Sequence, residues 1–212
     1  AGHSKSILTI SVIFMAFIAF VWLGYEFWRF LLQPDQIGSW RIHPGAIDLK
    51  LRYAELHHWF VGNPVYSPYP PASYAILWPF LGWLTLSPAL WLWSVTTVLA
   101  IGWLVFLIVQ ESGAETFLER SFIALIPVSM YATGATIGNG QLIVHLLPAL
   151  LAGLLLLYRG KGEWRNDLLA AALLVLALVK PNVSVPFFWI VVFIPGRVRP
   201  ILLVVCGYFV VT

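Results

Sequence analysis

The chain has 212 residues, 60% of them hydrophobic and only 10% charged, with a formal net charge of +3 and a single cysteine. A soluble domain carries about 25% charged residues, so a water-soluble globular fold is excluded, and Cys206 alone rules out an intrachain disulfide. The surplus positive charge sits in short loops, where it reports membrane orientation and argues against nucleic acid as a partner.

The placement of charge is the stronger signal. No Asp, Glu, Lys or Arg occurs between Glu55 and Glu111, or between Arg120 and Arg159. Uncharged apolar runs of about 20 residues are what a helix needs to cross a bilayer core. These runs lack the period-2 alternation of a barrel. The reading is an all-α, polytopic integral membrane bundle.

The first predicted span covers roughly residues 7–32. Lys5 precedes it, and Glu26 and Arg29 lie one turn apart near its far end, able to pair. Lys5 places the N-terminus in the cytoplasm, which makes residues 33–71 a large external loop. Within that loop, residues 46–61 read as an amphipathic helix. Leu49, Tyr53, Leu56 and Phe60 share one face; Asp48, Arg52, Glu55 and Trp59 share another. The element is expected to lie on the membrane surface, greasy side down, and the plainer alternative is an interfacial anchor with a solvated charged edge.

Further apolar pieces follow at 72–86, 88–110, 120–138, 141–158, 167–180 and 182–195, and one starts near 200. The chain therefore reads as one transmembrane domain of seven or eight segments, the N-terminal portion of a longer protein. Strict up-and-down counting would put the basic loops 159–165 and 196–199 outside, against the positive-inside rule. If the 72–86 piece does not cross, both return to the inside. The stretches 138–141 and 179–181 then share the outer face with the 33–71 loop.

The polar string also carries a resemblance. Asp48-Leu49, Tyr53, Gly62-Asn63-Pro64-Val65-Tyr66 and Tyr69-Pro70-Pro71 occur in that order. Gly140-Gln141 and Lys180-Pro181 follow downstream. This ordered set resembles glycosyltransferase family 87, membrane mannosyltransferases of the GT-C fold that use polyprenyl-phosphate sugars. The resemblance implies sugar transfer, mannose above others, from a polyprenyl-phosphate donor to a lipid or glycan acceptor. The setting it implies is the outer face of a bacterial cytoplasmic membrane.

It also implies that Asp48 is the catalytic base, accepting the proton of the attacking hydroxyl. Arg41, Lys50, Arg52 and Lys180 become candidate cations for the departing phosphate. Tyr53, His57, His58, Asn63, Tyr66, Tyr69, Asn139 and Gln141 become candidate substrate contacts. Arg52, one turn along the helix from Asp48, is expected to keep that carboxylate charged. No cofactor or metal is implied: His57 and His58 diverge by about 100° on a helix and do not grip one ion easily.

Each residue also has a plainer role available. Asn139 and Gln141 can cap helix ends, Lys180 can snorkel, and the tyrosines can belong to an interfacial aromatic belt. A transporter or flippase for a lipid-linked or small polar solute would account for the spans as well. It calls for inverted repeats, which the 212 residues do not show.

Overall fold

The computed structural model describes residues 2–32, 45–65, 69–160, 162–193 and 198–211. Among them it is helical throughout, with ten helices and no strand. In chain order these are α1 Gly2–Leu32, α2 Ile47–Phe60, α3 Pro71–Leu81, α4 Leu86–Glu111, α5 Phe117–Ser129, α6 Tyr131–Asn139, α7 Ile143–Arg159, α8 Trp164–Ala177, α9 Pro181–Phe193 and α10 Val198–Val210. The protein is an all-α membrane protein. Helices α1 and α4 are each long and apolar enough to cross a bilayer, and α5 with α6 forms a third crossing if the bent pair counts as one. Predicted Arg41 and Tyr66 lie outside the described residues.

One sequence expectation changes here and another is supported. The predicted span at 120–138 is broken: Met130 adopts an extended conformation between α5 and α6, and the two helices meet at 51°. Pro127 sits three residues before the break and offers no N–H. The Thr133 hydroxyl donates to the Pro127 carbonyl at 2.5 Å, satisfying one group freed by the break. The supported expectation is the arrangement in which 72–86 does not cross: α3 has 11 residues. At 1.5 Å per residue it is about 16 Å long, against about 30 Å of hydrocarbon. It is too short to cross.

The chain packs as two units, Ala1–Lys50 with Leu90–Val144, and Leu51–Ala89 with His145–Thr212. In the first, α1 lies along α5 and α6. Ala100, Ile137 and Val144 form a small core with Leu23, Phe27 and Ile101 against it. Thr116 and Glu119 start α5 with a capping box, each side chain bonding the other's backbone N–H.

In the second unit, α7 to α10 close around Leu150, Leu157, Leu174, Leu178, Val191 and Val204. Small residues set the helix spacing. Leu174 and the Ala170 carbonyl of α8 fill the space where a side chain on Gly153 would stand, a close approach usual in membrane bundles. At one end of this unit Arg199 pairs with buried Asp167 at 3.2 Å, bonds the Gly162 carbonyl at 3.3 Å and lies over the Trp164 ring. The two basic stretches flanking α8 and α10 thus meet. Lys180 follows the opposite end of α8.

Candidate functional site

Asp48 stands in the first turn of α2, and the turn before it is built with care. A side chain on Gly45 would overlap the Arg29 carbonyl and Phe30 backbone. Ala46 adopts a left-handed conformation, φ 56°, which costs an L-residue about 1–2 kcal/mol. It is fully buried, and its N–H donates to the Gly138 carbonyl at 2.8 Å. Two residues on, Gly140 closes α6 at φ 70° and lies against Leu49 and Phe30. The Gly140-Gln141 motif therefore docks on the start of α2 within the first unit. Asp48 is half-exposed there, and its carboxylate has no hydrogen bond or ion pair with any described residue. Gln141 is half-buried and its backbone N–H closes on the Thr136 carbonyl.

Asn139 has a structural task. Its Oδ1 accepts from Arg29 Nη2 at 2.9 Å, while Arg29 Nε pairs with Glu26 Oε2 at 2.7 Å. Glu26 and Arg29 are 3% and 6% exposed, so the pair foreseen from their spacing is held inside protein. Asn139 supplies the third member from 110 residues away.

The charged edge of α2 is not the solvated one of the plainer alternative. Arg52 is buried and pairs with Glu55 at 2.5 Å, both side chains being almost covered. The Tyr69 ring lies 4.4 Å from the guanidinium, the Tyr74 hydroxyl donates to Glu55 at 3.2 Å, and Trp59 stacks on Tyr74. The arginine placed beside Asp48 by sequence spacing is thus engaged with Glu55 and Tyr69. Ile47, Leu51, Trp59 and Phe60 are exposed large apolar positions of α2, while Leu49 and Leu56 are buried. Periodicity alone did not separate a buried from an exposed side, since Phe60 on the apolar face is exposed and Arg52 on the charged one is buried. It could not say that α3 would supply aromatic partners to the polar one.

The remaining loop residues divide similarly. The Tyr53 hydroxyl donates to the Leu84 carbonyl at 2.7 Å, and His57 Nδ1 donates back to the Tyr53 carbonyl at 2.8 Å. His58 and Asn63 are exposed and lie 3.3 Å apart through Nδ1 and Nδ2. The two imidazoles serve different partners.

Two motifs distant in sequence join in the second unit. Ser73, fully buried in the first turn of α3, donates its hydroxyl to the Val179 carbonyl at 2.6 Å. Tyr69-Pro70-Pro71 is thereby fastened to Lys180-Pro181. Lys180 is half-buried; its carbonyl accepts from the N–H groups of Val183 and Ser184 as α9 begins, and its ammonium has no bonded partner among the described residues. The sequence reading passed over Ser73 and Tyr74, although a hydroxyl two residues after Pro-Pro falls where a helix start faces its neighbours. Ser73→Ala leaves the Val179 carbonyl unsatisfied in the interior, which costs about 1–3 kcal/mol. A lowered melting temperature of the purified protein checks this.

The sequence profile of glycosyltransferase family 87 matches residues 67–212. The chain belongs to glycosyltransferase family 87. It is a membrane glycosyltransferase, and it uses a sugar donor and an acceptor at the membrane. The matched stretch contains Tyr69-Pro70-Pro71, Gly140-Gln141 and Lys180-Pro181, and it begins after Asp48 and the rest of α2. No curated protein and no solved structure matches this glycosyltransferase.

Proposed function

We propose that this glycosyltransferase moves mannose from a polyprenyl-phosphate donor to a lipid or glycan acceptor, with Asp48 as general base, in a bundle of the GT-C type. The observation that carries the assignment is the state of the carboxylates. Glu26, Glu55 and Asp167 each hold an arginine, whereas Asp48 is half-exposed and holds none among the described residues.

In the step itself, the acceptor oxygen forms a bond to the sugar's anomeric carbon. The bond from that carbon to the donor phosphate breaks, and the phosphate leaves with the electron pair. The acceptor's proton passes to Asp48. Charge develops on an oxocarbenium-like ring and on the leaving phosphate. Lys180, at the N-terminus of α9, is suited to the phosphate, since a helix start and an ammonium both favour an anion. His58, Asn63 and Gln141 are the remaining polar groups assigned to substrate.

Orientation follows from the second unit. Arg159, Arg165 and Arg199 lie toward one end of α8 and Lys180 beyond the other. The positive-inside rule assigns the arginine end to the cytoplasm. Lys180 then faces outward, and the proposal sets the reaction on that side of a bacterial cytoplasmic membrane, where lipid-linked sugars and not nucleotide sugars are supplied. The test is to give the full-length protein radiolabelled polyprenyl-phosphate-mannose or labelled GDP-mannose in separate vesicle reactions. The reading requires transfer from the first and none from the second; the reverse pattern overturns it. Lys180→Gln is expected to raise the donor KM roughly tenfold to a hundredfold, since a hydrogen bond to a charged group contributes about 1.5–3 kcal/mol. Initial rates against donor concentration measure it.

A further inference from the structure

The first unit contains a cleft of about 410 Å³ to which the transfer step above assigns no part. Three aromatic rings form its rim. Trp22 stacks on Tyr25 at 5.7 Å and on Tyr131 at 5.1 Å, and Trp22 Nε1 donates to the Tyr131 carbonyl at 3.3 Å, fixing the rings as a set. Its floor holds Glu26, Arg29 and Asn139. Ile47, the residue before Asp48, completes one wall.

The floor is buried and incompletely bonded. Glu26 is 3% exposed, and its Oε2 takes the Arg29 bond. Its other oxygen, Oε1, has no partner among the described residues. Asn139 gives Oδ1 to Arg29, and its amide N–H groups bond no described residue. The cleft therefore offers a strong acceptor and a donor beneath exposed ring faces.

That combination selects among ligands. The Glu26–Arg29 pair already neutralises its charges, and the free carboxylate oxygen repels anions, so a phosphate is disfavoured. A carboxylate oxygen accepts and an amide donates, which suits a neutral polyol. The aromatic rim offers apolar faces of the size of one sugar ring. We propose that the cleft between α1 and α6 is a binding subsite for a neutral pyranose unit of the substrates. This rests on the membership in a glycosyltransferase family and is independent of the base assigned to Asp48.

The test is saturation-transfer NMR on the full-length protein in lipid nanodiscs, with methyl α-D-mannopyranoside as probe. Wild-type protein should transfer saturation to the ring protons. Tyr131→Leu should reduce that signal roughly fivefold, the size of one lost ring contact. Tyr25→Leu, on the opposite flank of Trp22, should weaken it as well and serves if the first variant fails to assemble. Phe193→Leu, at an exposed ring on α9, should leave it unchanged. Asp48→Asn should also retain the signal, whether or not it still transfers sugar, so the two assignments fail separately. Saturating polyprenyl-phosphate-mannose then identifies the occupant: loss of the probe signal assigns the cleft to the donor's sugar, and persistence to the acceptor's. Absence of signal in wild-type protein, or equal signal in wild type and both tyrosine variants, overturns the proposal.

Discussion

Replacing Gly138 by alanine should destabilise the first unit by about 1–3 kcal/mol, the usual cost of forcing an extra group into a packed site. An added Cβ there would overlap the Glu26 carboxylate and the Arg29 guanidinium. Both groups are the ends of side chains that line the neighbouring cleft, so they must shift toward it, and the Arg29–Asn139 bond is disturbed with them. The Gly138 carbonyl is at the same time the anchor for the Ala46 N–H, so the turn ahead of α2 should loosen with it. Gly102→Ala is the matching control, since a Cβ at that α4 position meets nothing and gains about 0.5–1 kcal/mol of helix propensity. Thermal midpoints from fluorescence-detected gel filtration should fall sharply for the first variant and hold or rise for the second. Equal midpoints would remove the Glu26–Arg29–Asn139 group from the account of stability.

Asp48→Asn should lower kcat by about 10²- to 10⁴-fold, the usual contribution of a positioned base. The amide keeps the shape of the side chain and cannot accept the acceptor's proton. Because Asp48 makes no bond to a described residue, the variant should melt within about 0.5 kcal/mol of wild type, as substitutions away from structural contacts do. Loss of activity with unchanged stability is the signature expected of a chemical role. A variant that lost both would indicate that the carboxylate supports the fold.

Much of the fold was legible because charge is so costly in lipid. The charge-free runs located α4 to α7, and the i, i+3 spacing of Glu26 and Arg29 foretold their pairing. The limits of α2 were also readable, 46–61 expected against Ile47–Phe60. What sequence could not give was partners from afar. Asn139 reaches Arg29 across 110 residues, and Ser73 reaches Val179 across 106; neither pairing has a local signal. The break at Met130 was hidden for a related reason. Proline within a membrane helix is tolerated when neighbours satisfy the freed groups, so Pro127 alone did not mark an end. Periodicity sorted Arg52 and Glu55 onto one face without saying whether water or protein covers it. Tyr69 and Tyr74 cover that face.

The most direct measurement separates proton acceptance from bond cleavage at the donor. Azide is an anionic nucleophile with no proton to surrender, so it needs no base. In Asp48→Ala, added azide should attack the anomeric carbon, release polyprenyl phosphate and form mannosyl azide, while transfer to the natural acceptor stays abolished. If Asp48→Ala instead transfers mannose to its acceptor at the wild-type rate, without azide, the proton is taken up elsewhere and the account fails.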